Sequence, residues 1–123
     1  MALDAYRPQA LALLRIVAAI LFLAHGTQKL FGFPGGGNTV TLVSLMGLAG
    51  ILEVVGGLLL IIGYQTRIVA FVLSGMMAVA YWMAHAPQNF YPVLNGGDAA
   101  ILFCFVFLYL VFAGPGAWSV DKR

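Results

Sequence analysis

Four apolar segments, each about as long as a bilayer is thick, dominate this chain and leave little choice of fold. They cover approximately residues 9–30, 40–63, 67–86 and 98–113. A spanning helix needs roughly 17–25 apolar residues, so all four are eligible, the last only just. In hydrocarbon the backbone must satisfy its own hydrogen bonds, which leaves helices or closed barrels. The segments lack the alternating period of barrel strands, so they are read as helices. The expected fold is an all-α, transmembrane four-helix bundle forming a single domain over residues 1–123.

Composition agrees. Hydrophobic residues make up 63% of the 123, only 8% are charged, and the mean hydropathy is +1.01. A soluble domain carries about 25% charged residues. The formal net charge of +2 is small and dispersed, so no basic run tracks a phosphate backbone and nucleic acid is excluded as a partner. One cysteine, Cys104, permits no internal disulfide or dithiol chemistry.

Turn chemistry separates the segments. "FGFPGGG" (31–37) closes the first, and the short "GYQTR" (63–67) forces its neighbours antiparallel. "APQNFYPVLNGG" (86–97) leads to Asp98, placed to cap the last helix with its carboxylate. The N-terminal run is too long for a cleavable signal peptide and holds Arg15. An even number of spans puts both termini on one side. Arg7, Arg67, Lys122 and Arg123, with Arg15 nearby, lie there, against Lys29 alone opposite. The positive side faces the cytoplasm, so both termini are expected there and the 31–39 and 87–97 loops outside. Trp82, Tyr81, Phe90 and Tyr91 cluster at the outer boundary.

The charges inside the segments carry the functional argument. At 100° per residue, Arg15, Ala19, Phe22, Gly26 and Lys29 fall within about 40° of one line, with His25 on its flank. Arg67, Ser74, Ala78, Tyr81 and His85 form a similar stripe on the third helix. On the second, Gly47, Gly50 and Gly57 share a face with Glu53. Depth counting makes an Arg15–Glu53 contact feasible, a neutral pair in place of two isolated charges. An intramembrane charge costs at least about 2.5–3.5 kcal/mol and generally marks a ligand or proton site. Arg15, Glu53, His25, Gln28, Lys29, Tyr81 and His85 are therefore the candidate ligand-binding residues, with Arg67 and Asp98 as structural polar groups. His25 and His85 share a leaflet, but without a third ligand, CxxCH or HxxxH no metal or haem is expected. Neither a nucleophile–base pair nor a phosphate-binding loop is present: "GGG" at 35–37 lacks the following lysine.

Three stretches, "LLRIVAAILFLAHGTQKLFGF" from residue 13, "LEVVGGLLLIIGYQTR" from residue 52 and "FYPVLNGGDAAILF" from residue 90, together resemble the DoxX family of small four-helix membrane proteins. Relatives often carry Glu where this chain has Asp98. The resemblance implies a multi-pass inner-membrane protein associated with a redox chain, and points to Arg15, Lys29, Glu53 and Arg67, then His25. The function expected is a quinone- or quinol-interacting subunit, with quinone as its ligand and no covalently bound cofactor. Any chemistry would belong to a quinone-linked oxidoreductase whose electron carrier a membrane-protein partner supplies. The alternative is a non-catalytic assembly subunit of a larger membrane complex. A bundle this small is also compatible with a homo-oligomer, and without an inverted repeat transport is the weakest reading.

Overall fold

The computed structural model describes residues 2–33, 35 and 45–121, and every regular element among them is helical. A short 3₁₀ turn (Ala2–Tyr6) leads into α1 (Arg7–Phe31). It is followed by α2 (Leu45–Ile62), α3 (Thr66–Ala80), a π-helical turn (Tyr81–His85), a 3₁₀ turn (Ala86–Gln88), α4 (Pro92–Asn95) and α5 (Asp98–Ala113). The expected start of the second helix at residue 40, the 36–39 loop, and the charges of Lys122 and Arg123 lie outside the described residues. Ala2–Phe31 and Thr66–Gln88 are long and apolar enough to cross a membrane, whereas Gly47–Ile62 and Asp98–Ala113 are shorter apolar helices.

The helices pair antiparallel, α1 with α2 and α3 with α5, and α2 links the pairs through α3. On α1 the buried face is Ala12, Arg15, Ala18, Ala19, Phe22 and Gly26, the line expected from the helical period. Gly26 sets the approach of α2. A Cβ there would lie 2.8 Å from Glu53 Cβ and 2.9 Å from the Val54 backbone nitrogen. Lipid gives helices no hydrophobic reason to associate, so such small-residue contacts carry the packing. The α3 face differs from expectation. Thr66, Ala70, Leu73, Ser74 and Met77 are buried, while Arg67 is exposed and Ala78 is only half-buried. Leu73 packs at Gly56 of α2, and this apolar contact rotates the stripe away from Arg67. Phe22, Phe103 and Phe107 join α1 to α5, with ring centroids 5.0–5.7 Å apart. Outward, α1 exposes Leu13, Val17 and Ile20, and α5 exposes Leu102, Phe105 and Phe112.

The chain's C-terminal segment folds back across the end that bears both termini. Ala117 N–H donates to Pro8 O, Val120 N–H to Ile62 O and Asp121 N–H to Gly63 O. Gly116 lets it pass. At φ +76° it has the left-handed backbone that suits glycine, and a Cβ would lie 2.7 Å from Pro8 O. Arg15, fully buried, fastens this segment from inside. Its Nε donates to Leu60 O at 2.8 Å. Its two terminal nitrogens donate to Pro115 O, to Ala117 O at 3.1 Å, to Ile61 O at 3.5 Å and to Trp118 O at 2.8 Å. Five donors thus meet five carbonyls, the full capacity of a guanidinium. Two of those carbonyls end α2, where orphan C=O groups and the helix dipole favour a cation.

The expected Arg15–Glu53 pair is therefore corrected. Eleven residues of α1 separate Arg15 from Gly26, the residue packed on Glu53, or about 16 Å of helix. The depth estimate counted each residue from its own helix end and lacked the register between helices. Arg15→Met removes five hydrogen bonds to carbonyls and should lower stability in detergent by at least about 2 kcal/mol. Thermal unfolding should show the loss, and proteolysis of the 114–121 segment should accelerate. Arg15→Lys, which cannot fork, should not restore it.

Asp121, in the C-terminal segment beyond the last helix, closes the same end. Its carboxylate accepts the Gln65 N–H at 2.7 Å and the Thr66 N–H at 2.8 Å, capping α3 from far along the chain. Burial alone would raise its pKa. The Thr66 and Gln65 N–H groups, with the Arg15 charge, outweigh burial and hold it below the usual carboxylate value. A carboxyl whose pKa is lower folded than unfolded adds stability that is complete above the unfolded pKa and disappears as pH falls through the folded one. Asp121→Ala should cost about 1–2 kcal/mol at neutral pH, as other lost caps do. In pH-dependent melting its deficit relative to wild type should shrink below about pH 4.

Candidate functional site

About two and a half turns up α2 from the C-terminal end, Glu53 is almost wholly buried. Gly26 brings α1 against it, and one turn further along, Lys29 donates from Nζ to Glu53 Oε1. The partner that the sequence argument gave to Arg15 is thus Lys29. Its side chain remains 26% exposed against 2% for Glu53. One uncompensated charge here would cost several kcal/mol, and pairing removes most of that cost.

Beside the pair lies a cavity of about 170 Å³. Lys29, Glu53, His25 and His85 form its polar wall; Phe22, Met77 and Phe103 form much of the apolar one. Both imidazoles are held by carbonyls. His25 Nδ1 lies 2.9 Å from Leu21 O, and His85 Nδ1 lies 3.0 Å from Asn95 O. A carbonyl oxygen can only accept, so each Nδ1 carries the proton. In its neutral form each ring then has Nε2 as an acceptor, with no partner among the described residues. The site therefore offers two imidazole lone pairs, spare ammonium N–H groups and a carboxylate.

His85 is oriented by a set of polar contacts. The π-helical turn carries it, and such turns often occur at functional positions. The Tyr81 ring stacks on it, centroids 6.3 Å apart at 26°. Asn95, buried, donates from Nδ2 to the Tyr81 hydroxyl at 3.0 Å and to Asn89 O at 2.9 Å, and accepts the Gly97 N–H at 2.8 Å. Sequence reasoning overlooked Asn95. Its signal was the "NGG" turn, where an Asn side chain habitually binds the backbone two residues on.

The structure thus brings together Lys29, Glu53, His25 and His85. Tyr81 supports His85 from behind, outside the cavity lining. Gln28 is tied by Nε2 to Gly35 O at 2.8 Å. Arg15 belongs to the opposite end. Arg67 donates to Val111 O and Phe112 O at 2.8 Å each, finishing α5. Asp98 is corrected: Gly97 occupies the cap position, and exposed Asp98 is the first helical residue, with no side-chain cap bond. Among the described residues no three His, Cys, Asp or Glu side chains converge as a metal set.

A family model described as DoxX matches residues 10–86, which hold most of α1, the buried pair, and both histidines. The chain belongs to the DoxX family. This DoxX protein is 45% identical to an uncharacterized protein of Haemophilus influenzae, over 98% of the chain and 95% of that relative. It is 31% identical to the Escherichia coli inner membrane protein YqjF, over 88% and 86% of the two chains. It is 30% identical to the E. coli inner membrane protein YphA, over 97% and 93%. No solved structure matches. Family, relatives and exposed apolar helix faces together make this a membrane protein.

The buried pair should behave as one unit. Lys29→Met leaves the Glu53 charge stranded and should cost about 3–5 kcal/mol. The double variant Lys29→Met/Glu53→Met removes both charges and should recover most of that loss. A double-mutant cycle on detergent-unfolding free energies measures the coupling; additive losses would contradict a direct pair.

Proposed function

We propose that this DoxX protein is a multi-pass inner-membrane four-helix bundle with both termini in the cytoplasm. Its Lys29–Glu53 cavity binds the ring of a quinone-type ligand for a membrane redox system. Arg7, Arg15 and Arg67 lie toward the end bearing the termini, and Lys29 lies toward the other, which supports that orientation. The relatives named as inner membrane proteins support the location. At 16 residues α5 is about 24 Å long, and local bilayer thinning accommodates so short a span.

The observation that carries the ligand class is the composition of the cavity. Two histidine acceptors and an ion pair line one wall of an otherwise apolar space of about 170 Å³. An apolar cavity of about 150 Å³ accepts benzene, so one six-membered ring fits. A hydroquinone brings two hydroxyl donors to the two Nε2 acceptors, whereas the oxidised quinone brings only acceptors. The two imidazole acceptors therefore favour the reduced ring, while the Lys29 ammonium remains a donor that one quinone carbonyl can use, so the preference is moderate. Electrons would pass to a carrier on a partner protein, since the side chains here supply none.

Assembly of a larger complex through small-residue faces is less well supported. Gly26, Gly50 and Gly57 are already consumed between α1 and α2.

Thermal shift of the purified protein with short-chain quinol and quinone analogues tests the reading. A saturable rise in Tm is expected with the quinol, with roughly tenfold weaker binding of the quinone, the equivalent of one or two hydrogen bonds. His25→Phe should erase most of that preference while the protein stays folded, since His25 is exposed on one side. No saturable shift with either analogue would end the ligand reading. A stoichiometric copurifying partner in that case would favour assembly.

A further inference from the structure

A second cleft backs onto the apolar wall of the polar cavity. Phe103 and Ala99 line the cavity on one side and on the other line this cleft of about 310 Å³ between α1 and α5. That cleft is apolar throughout. Leu14, Val17 and Leu21 form its α1 wall, and Leu102 and Val106 complete the α5 wall. From Leu21 to Leu14 it runs seven residues down α1, about 10 Å, away from the ion pair. Val17 and Leu102 are half or more exposed, so the cleft opens sideways onto the face that other exposed apolar side chains turn to lipid.

Packing explains why it is there. Helices α1 and α5 meet chiefly through Phe22, Phe103 and Phe107 and otherwise touch little, while each packs extensively on its own partner. Ala18 and Ala99 are too small to fill the gap. Phe103 stands edge-on to His25, centroids 5.8 Å apart, and stacks on Phe107. It thus touches His25 in the polar cavity and also lines the cleft.

We infer that the α1–α5 cleft is the track for the ligand's apolar tail, with Phe103 as the partition between tail and ring. This rests on the ring site proposed above. The occupant is a prenyl or alkyl chain attached to that ring, because the cleft is apolar throughout and lies back to back with the polar cavity across Phe103 and Ala99. Its length suits about two prenyl units; the remainder of a longer tail lies in the bilayer. The ligand enters from the membrane plane between α1 and α5, without crossing either aqueous face.

Two ring analogues decide it, one with a ten-carbon tail and the same ring with a methyl group instead. Both are titrated at fixed detergent against wild type, Val17→Trp and Leu102→Trp, whose exposed positions tolerate the larger side chain. In each variant the tailed analogue should lose at least about tenfold in affinity, equivalent to roughly two buried methylene groups, while the methyl analogue keeps its affinity. Unchanged affinity for the tailed analogue in both variants overturns the tail track and leaves the ring site standing. Failure of both analogues to bind wild type overturns the ring site and the track with it. A diazirine in mid-tail gives a readout independent of stability. Competable adducts on peptides spanning 14–21 and 102–106 are expected. Adducts spread over every lipid-facing helix would mark the cleft as a seat for ordinary acyl chains and overturn the assignment.

Discussion

A guanidinium without water must be answered by the protein, and Arg15 shows what a complete answer requires. All five of its N–H donors are taken by carbonyls, two from the end of α2 and three from the C-terminal segment. No single helix can present such a set, because an α-helix spends its own carbonyls internally except over the last turn. The C-terminal segment must therefore be irregular and must cross α2's end, which Gly114 and Gly116, both at positive φ, permit. Asp121 then reaches the start of α3 and fixes the turn between α2 and α3. One buried cation thus organises the chain's ends, the α2–α3 connection and the depth at which α1 sits.

Lys29 is the counterexample that gives the opposite end its chemistry. An ammonium has three donors, and among the described residues one of them goes to Glu53. His25 and His85 each have one nitrogen committed to a carbonyl and one uncommitted. Where Arg15 is saturated, this end retains unused hydrogen-bonding capacity beside a cavity. Unused capacity is costly in hydrocarbon, and it persists here because the groups face one another across a small space rather than facing lipid.

How legible this was from sequence follows from what each inference needed. The inward line of α1 needed only the helical period, and Ala19, Phe22 and Gly26 lie where the period puts them. The partner of Glu53 needed the register between helices, which Gly26 sets by close approach and which no count from helix ends supplies. The α3 stripe misplaced Arg67 because polarity was used to choose the face, whereas Leu73 and Met77 chose it by packing. The capping reading of Asp98 failed for a local reason: Gly97 already occupied that position. Asp121 left no local signal, since it caps a helix that begins more than fifty residues earlier. His25 and His85 could be assigned to one end from span parity alone, but their tautomers depended on Leu21 and Asn95 carbonyls.

The location of the cavity then has a physical cause. Two tight antiparallel pairs, α1–α2 and α3–α5, are each closed along their length by small residues or by side-chain to carbonyl bonds such as Ser74 Oγ to Cys104 O at 2.8 Å. The chain ties the pairs together at the Arg15 end, where the connection is short and the C-terminal segment spans it. At the other end the connections are longer, and α3 gives way to a π-helical turn that carries His85. The cavity between the pairs at that end is bounded by what those helices and the turn present. They present Lys29, Glu53 and two histidines. The fully bonded cation thus lies at one end of the helix pairs, and the cavity with its uncommitted acceptors lies at the other.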